Sequence, residues 1–304
     1  VKSTSSIEKL TSKILREQAE SPPDTLWHYT NAAGLLGILR SGKLWATNTE
    51  YLNDASELRY ARMLVWRSIG SLRAKVFDDR EHDMLDLLSE SISQSLKPSV
   101  FVASLSAEKN DLSQWRAYGG SSGSFALGFS SRTLSEAITR NSELPFNLYK
   151  CIYGEKRSAV LCARFVDRVL SEFRKYRRTN SLRPSDYLEI RNFVAETVES
   201  FEILAPLIKH PDFAREAEWR LVSGPVDLNK RPIHLREGRT CVVPYIEFTI
   251  AENKSEPKTT VHTQIGPAIS YNPRDPTLAQ IAYCDDFILQ PFPVEPSQTP
   301  YRHR

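Results

Sequence analysis

The stretch from Leu26 to Glu57 constrains the chain more than any other. Leu26-Trp27-His28-Tyr29-Thr30 is a short apolar run, which predicts a strand with His28 near its end. Leu35, Leu36, Ile38 and Leu39 then recur at helical spacing. Gly42 stands where a helix C-terminal glycine belongs, and Leu44 to Thr47 suits a second short strand. A strand, a short helix and a returning strand leave His28 at a junction where side chains commonly face ligands. Asp54 with Glu57 three residues on reads as a capping box for the next helix, with ligand roles for Asn53 or Asp54 secondary.

The rest of the chain alternates the two periodicities. Amphipathic helices are expected over residues 5–20, 56–71 and 79–96, the last stopped by Pro98. Strands are expected over 99–106 and 125–129, with a helical turn over 111–118 and a glycine-rich loop over 119–123 between them. Two longer helices follow over 155–177 and 185–205. Their apolar faces hold Val160, Phe165, Val169 and Phe173, and Leu188, Phe193, Val194 and Val198. Strands return over 218–223, 240–249, 260–265 and 287–289. A short helix is expected over 273–281 and a Pro-rich tail from Pro291. The expectation is one α+β domain over 1–304: an N-terminal helix within 1–23, and a sheet interrupted by a mainly helical insertion over 130–212.

With 40% hydrophobic and 25% charged residues, the 304-residue chain has an ordinary globular composition. A net charge of +3 permits a nucleic-acid partner without arguing for one. Arg174, Lys175, Arg177 and Arg178 cluster at a helix end, which first suggests a solvated face and a favourable dipole interaction. Cys151, Cys162, Cys241 and Cys284 make no Cys-x-x-Cys pair and no zinc-like spacing. Free thiols, no apolar leader core and no membrane-length run set the expectation of a cytoplasmic protein. Walker, dinucleotide-glycine, His-Glu-x-x-His and Gly-x-Ser-x-Gly motifs are absent, and no acidic set suggests a nuclease metal site.

Three constellations remain. His28-Tyr29-Thr30 ends an apolar strand, although a lone histidine is more often simply packed. Ser104 and Ser106 share one strand face and can bond a ligand, or can feed a turn; Trp115 and Tyr118 can wall a flat ring, or pack as core aromatics. Glu216, Glu218 and Arg220 share a strand face if the strand begins early enough. Two carboxylates entering an apolar strand cost free energy unless something uses them; the alternative is a surface edge with Arg220 pairing one glutamate.

Taken in order, these pieces resemble the ADP-ribosyltransferase superfamily. His28-Tyr29-Thr30 with the Ile38-Leu39-Arg40-Ser41-Gly42-Lys43-Leu44 return is similar to that superfamily's opening. Ser104-Leu105-Ser106 is similar to the Ser-Thr-Ser strand of its arginine-modifying branch, and Glu216-Ala217-Glu218 to that branch's acidic pair. The same segments, with Leu52-Asn53-Asp54 and Glu218-Trp219-Arg220, also resemble a widespread bacterial family with no assigned activity. The resemblance implies a split antiparallel sheet and NAD as substrate. It implies Glu218, Glu216 and His28 as catalytic residues, the two glutamates as its acids, and His28, Tyr29, Thr30, Ser104, Ser106, Trp115, Tyr118 and Arg220 around the dinucleotide, His28 and Thr30 at its adenosine-side ribose. It further implies a protein, RNA or DNA acceptor, a toxin or phage-defence setting, and an inhibitory antitoxin or regulator. The arginine-modifying branch carries arginine where this chain has His28, so NAD hydrolysis and phosphate transfer stay open beside transfer. A non-enzymatic nucleic-acid or protein-binding module is the rival reading, with the basic cluster as its contact surface.

Overall fold

The computed structural model describes residues 6–52, 55–94, 100–119, 123–180, 187–227, 233–238, 241–252, 259–267, 284 and 286–298. Asn53 and Asp54 of the expected capping box, the expected helix over 273–281, and the loop residues 120–122 lie outside the described residues.

The helices are α1 (Ser6–Glu17), α2 (Ala32–Ser41), α3 (Ala55–Arg73), α4 (Asp79–Ser93), α5 (Leu112–Tyr118), α6 (Ser131–Arg140), α7 (Glu155–Asn180) and α8 (Tyr187–Leu204). The strands are β1 (Thr25–Asn31), β2 (Lys43–Asn48), β3 (Phe101–Ser106), β4 (Ser124–Ser130), β5 (Phe146–Lys150), β6 (Glu218–Ser223), β7 (His234–Glu237), β8 (Val242–Thr249), β9 (Thr259–Ile265) and β10 (Leu289–Pro296). The architecture is α+β, with one large, mostly antiparallel sheet and helices on its faces. None of the described helices is long and apolar enough to cross a membrane.

The opening unit forms from local signals. Asn31 accepts the Gly34 N–H to cap α2, and Gly42, at φ 68°, closes it with its N–H on the Ile38 carbonyl. Asp78 and Asp111 cap α4 and α5 in the same way. The helix preceding Pro98 is shorter than its apolar period, ending at Ser93. Residues 130–212 are not wholly helical: β5 pairs along β6 and belongs to the sheet.

The sheet branches at β3. One edge of β3 pairs with β6 from Val102 to Ser106. The other edge is shared: β1 meets it at Trp27 opposite Ser106, and β2 meets it at Thr47 and Asn48 opposite Val102 and Phe101. Between these contacts β1 and β2 part from β3. β1 instead pairs along its whole length with β4, and β2 with β8.

Alternation assigns the two faces. Leu26, Phe101, Leu105, Leu127, Trp219, Leu221 and Phe248 point to one side, under α2 and α6. Val102 and Val222 point to the other, into a helical core of α1, α3, α4, α7 and α8. Trp27, Tyr29, Trp115 and Ala126 form a small separate cluster. The register places Trp27 and Tyr29 on the same side as Val102 and Val222. Polar side chains occupy the space between these two apolar patches.

Three details depart from the periodicity reading. Val160 and Leu188, expected on buried helix faces, are exposed, while Phe165, Val169, Phe173, Phe193 and Val194 are buried as expected. The Pro-rich tail is a strand over its first part: β10 runs parallel to β9 with Pro291, Pro293 and Pro296 in it. Proline is tolerated there because β10 is an edge among the described strands, where an outward-facing N–H has no ladder bond to make. The expected elements do not include α6, β5 or β7; α6 has only Leu134, Ala137 and Ile138 as apolar residues in its ten positions.

Candidate functional site

β6 opens with its most unusual residue. Glu218 is only 5% exposed, yet it is ionised. Arg220, two residues on and therefore on the same face, donates Nε to Glu218 Oε1 at 2.7 Å and Nη2 to Oε2 at 3.0 Å. Lys209, equally buried, donates Nζ to Glu218 Oε2 at 2.6 Å and to Glu216 Oε2 at 2.5 Å. Arg220 Nη1 also donates to the Pro206 carbonyl. Burial alone would raise the Glu218 carboxyl. The charges and hydrogen bonds of Arg220 and Lys209 outweigh burial and hold it down to about 2.

Glu216 arrives by a different route from the one its spacing suggests. The strand begins at Glu218, so Glu216 is not on its face; it ends a 3-10 turn over Pro211–Glu216. Ala217 between them takes φ 42° and ψ 45°, the one described non-glycine residue at positive φ. This left-handed step costs about 1–2 kcal/mol for a residue with a Cβ. It turns the chain so that both carboxylates meet the same ammonium group. The Glu216 side chain is 25% exposed, against 7% for Glu218.

The surroundings hold this turn in place. Ser106 Oγ donates to the Glu216 carbonyl at 2.7 Å and accepts from the Glu108 N–H at 3.0 Å. The Glu218 N–H donates to the Tyr153 hydroxyl at 2.9 Å, and the Glu218 carbonyl accepts from the Cys151 N–H at 2.9 Å. Lys209 is positioned by the Ile152–Ile208 bridge, its N–H on the Ile152 carbonyl at 3.0 Å, and packs over the Phe213 ring at 5.1 Å. Burial, then the negative charges of Glu218 and Glu216, push the Tyr118 phenol up.

Of the residues singled out in the sequence, the structure gathers Glu216, Glu218, Arg220, Ser106 and Tyr118. Ser104 stands across from Arg220 on β3. Tyr29 and Trp115 meet edge to face at 4.7 Å on the same side of the sheet. The Tyr29 hydroxyl is used by the loop before α5, donating to the Glu108 carbonyl at 2.6 Å and accepting from the Asp111 N–H at 3.1 Å. Trp115 Nε1 and Gln264 Oε1 are buried and have no hydrogen-bond partner among the described residues. Gln264 lies opposite Ala126, which lies opposite Tyr29, so donor and acceptor stand on one face.

His28 and Thr30 are placed elsewhere. Trp27 shares its face with Ser106 and Glu218, so the next residue, His28, points to the opposite side. Its Nδ1–H reaches the Ser104 carbonyl at 2.9 Å, bridging β1 and β3 where the two strands part. Burial lowers the His28 pKa against the opposing effect of that carbonyl. The Thr30 hydroxyl lies against Gly34, where an added Cβ would come within 2.0 Å of it.

Lys209 and Tyr153 escaped sequence reading. The only trace of Lys209 is its place at the end of the apolar run Ala205-Pro206-Leu207-Ile208, where a lysine is unexpected. The basic cluster is largely exposed, as a solvated face would be, and three of its members make intramolecular ion pairs. Arg174 takes both Glu81 oxygens at 2.8 and 2.7 Å, Arg177 pairs with Asp78 at 2.8 Å, and Lys175 with Glu172 at 2.6 Å.

No curated protein and no solved structure matches the chain. One family model, described as a protein of unknown function (DUF2971), matches residues 114–221, a segment that includes Trp115, Tyr118, Tyr153, Lys209, Glu216, Glu218 and Arg220 and leaves out His28 and Ser104.

Proposed function

We propose that this chain is an NAD-dependent ADP-ribosyltransferase acting on a macromolecule, with its acids at Glu218 and Glu216. The observation that carries the reading is a buried carboxylate held ionised at the start of a central strand, beside the point where the sheet branches. Loss of nicotinamide from NAD leaves positive charge on the ribose carbon. A fixed, dehydrated anion stabilises that charge more in the transition state than in the ground state. Glu218 stays anionic through the physiological range, which suits this role and not that of a general acid. Glu216, the more accessible acid, takes the acceptor proton. Tyr118, the exposed aromatic of this group, supplies surface for the nicotinamide, and Arg220 keeps the Glu218 carboxylate in one orientation. His28 acts by position in this reading, holding β1 to β3 through the Ser104 carbonyl.

The test is incubation of the protein with labelled NAD and cell lysate, following nicotinamide release and label on protein, RNA and DNA separately. Glu216→Gln and Glu218→Gln are run beside it, each with a thermal melt. Release that disappears in a folded Glu216→Gln or Glu218→Gln supports the enzyme; label in no fraction despite release means NAD hydrolysis. Absence of release together with no NAD binding in calorimetry rejects the reading.

One observation favours a second reading, a non-enzymatic binding module. The two cations on Glu218 make a closed ion network that a structural role alone explains. In that case Glu218→Gln lowers stability while both NAD measurements stay at background.

A further inference from the structure

An aromatic stack stands on strands other than β6, which carries Glu218. β2, β8 and β7 lie side by side, with Trp45 opposite Glu247, Thr47 opposite Tyr245, and Tyr245 opposite His234. Trp45 stacks on Tyr245 with centroids 4.4 Å apart and planes at 29°. His234 stacks on the same Tyr245 ring at 5.3 Å and 30°. Tyr245 is buried between the two, while Trp45 is 45% exposed and His234 is exposed. Three near-parallel rings thus end in open ring surface.

Cations flank the stack on the same face. Lys43 is two residues before Trp45 on β2, and Arg236 two after His234 on β7. Arg236 Nη2 reaches across β8 to the Thr47 hydroxyl at 3.1 Å, and Lys43 meets Glu247 at 2.5 Å. Burial and the Glu247 charge push the Tyr245 phenol up, against the opposing effect of Arg236 and Lys43. Among the described residues of this face, Lys43, Arg236 and the His234 imidazole stand beside the Glu247 carboxylate. Other exposed aromatics, such as Trp66 and Phe77, have no such ring partner among the described contacts.

We propose that this face of β2, β8 and β7 binds single-stranded nucleic acid, a base stacking on Trp45 and backbone phosphates meeting Lys43 and Arg236. Flat rings with exposed π-faces accept any base, and neighbouring cations track the backbone. An apolar peptide would leave Lys43, Arg236 and Glu247 poorly matched. The open surface offers a lone nucleotide little enclosure, so a polymer gains more from it. The inference rests on this surface alone and does not depend on the transferase reading.

The test is fluorescence anisotropy with a labelled 15-nucleotide single strand of mixed sequence, as DNA and as RNA, over a range of salt. Binding is expected to weaken as salt rises. Trp45→Ala weakens it about tenfold, Trp45→Phe retains most of it, and Trp66→Ala leaves it unchanged. Arg236→Ala and Lys43→Ala each reduce the slope of log K against log salt by about one. Absence of binding at any salt overturns the proposal, as does a Trp45→Ala protein that binds like the wild type. So does mononucleotide binding as tight as the 15-mer's, or self-association lost in Trp45→Ala without oligonucleotide binding. Trp45 is exposed enough that its variants are expected to fold, and circular dichroism checks each one.

Discussion

Arg220 holds both carboxylate oxygens of Glu218, Nε on Oε1 at 2.7 Å and Nη2 on Oε2 at 3.0 Å, from two residues away on the same strand. Neighbours of this spacing share a face but are not usually so close in reach. Here the long arginine side chain folds back along β6, and Lys209 closes the remaining side of the carboxylate at 2.6 Å.

Removing the charge at the centre of this arrangement is expected to be severe. Glu218→Gln leaves Arg220 and Lys209 buried with less compensating charge, a loss on the order of 3–5 kcal/mol. Glu216→Gln, at a partly exposed site, costs about 1 kcal/mol or less. Urea denaturation of the two variants should separate by that difference; equal midpoints would mean the clamp contributes nothing.

The same pair predicts an acid limb in stability. The unfolded Glu218 titrates at about 4.3, and the folded one at about 2. A depressed folded pKa stabilises the fold above the unfolded value, and that contribution is lost as pH falls from about 4.3 through about 2. It amounts to roughly 3 kcal/mol at neutral pH. Urea midpoints from pH 6 to pH 2 should fall for the wild type and fall less for Glu218→Gln.

His28 is expected to be neutral at pH 7, carrying its proton on Nδ1, because that nitrogen donates to the Ser104 carbonyl. Its folded pKa is lowered by burial. Its stabilising contribution is therefore present above the unfolded value of about 6.5 and declines as pH falls below it. Long-range nitrogen–proton NMR correlations report the tautomer directly. A ring protonated on Nε2 alone at pH 7 contradicts the assignment.

Ala217 offers a test of the turn between the acids. Ala217→Gly relieves the left-handed strain of about 1–2 kcal/mol, offset by about 0.4–1 kcal/mol of extra chain entropy, for a net change near zero or slightly stabilising. Ala217→Val, β-branched at φ 42°, is expected to destabilise by more than about 1 kcal/mol and to disturb both acids together. Denaturation midpoints for the two variants give the sign, and a Val variant as stable as the wild type would contradict the left-handed geometry.

What the sequence by itself determined is local. The strand, helix and return from Thr25 to Asn48, the long α7 and α8, and the start of β6 at Glu218 follow from periodicities and end signals within a few residues of each position. So does the α+β class. The tertiary structure alone decided three things. Lys209 meets Glu218 only because the Ile152–Ile208 bridge brings the segment before the 3-10 turn back against β6. His28 and Glu218 point to opposite faces because the single Trp27–Ser106 pairing sets the phase of β1 against β3, and a shift of one residue would have reversed it. The Pro-rich tail became strand β10 because an edge beside β9 needs no N–H from its prolines. Pairing, register and edge position are relations between distant segments, and no local pattern of residues encodes them.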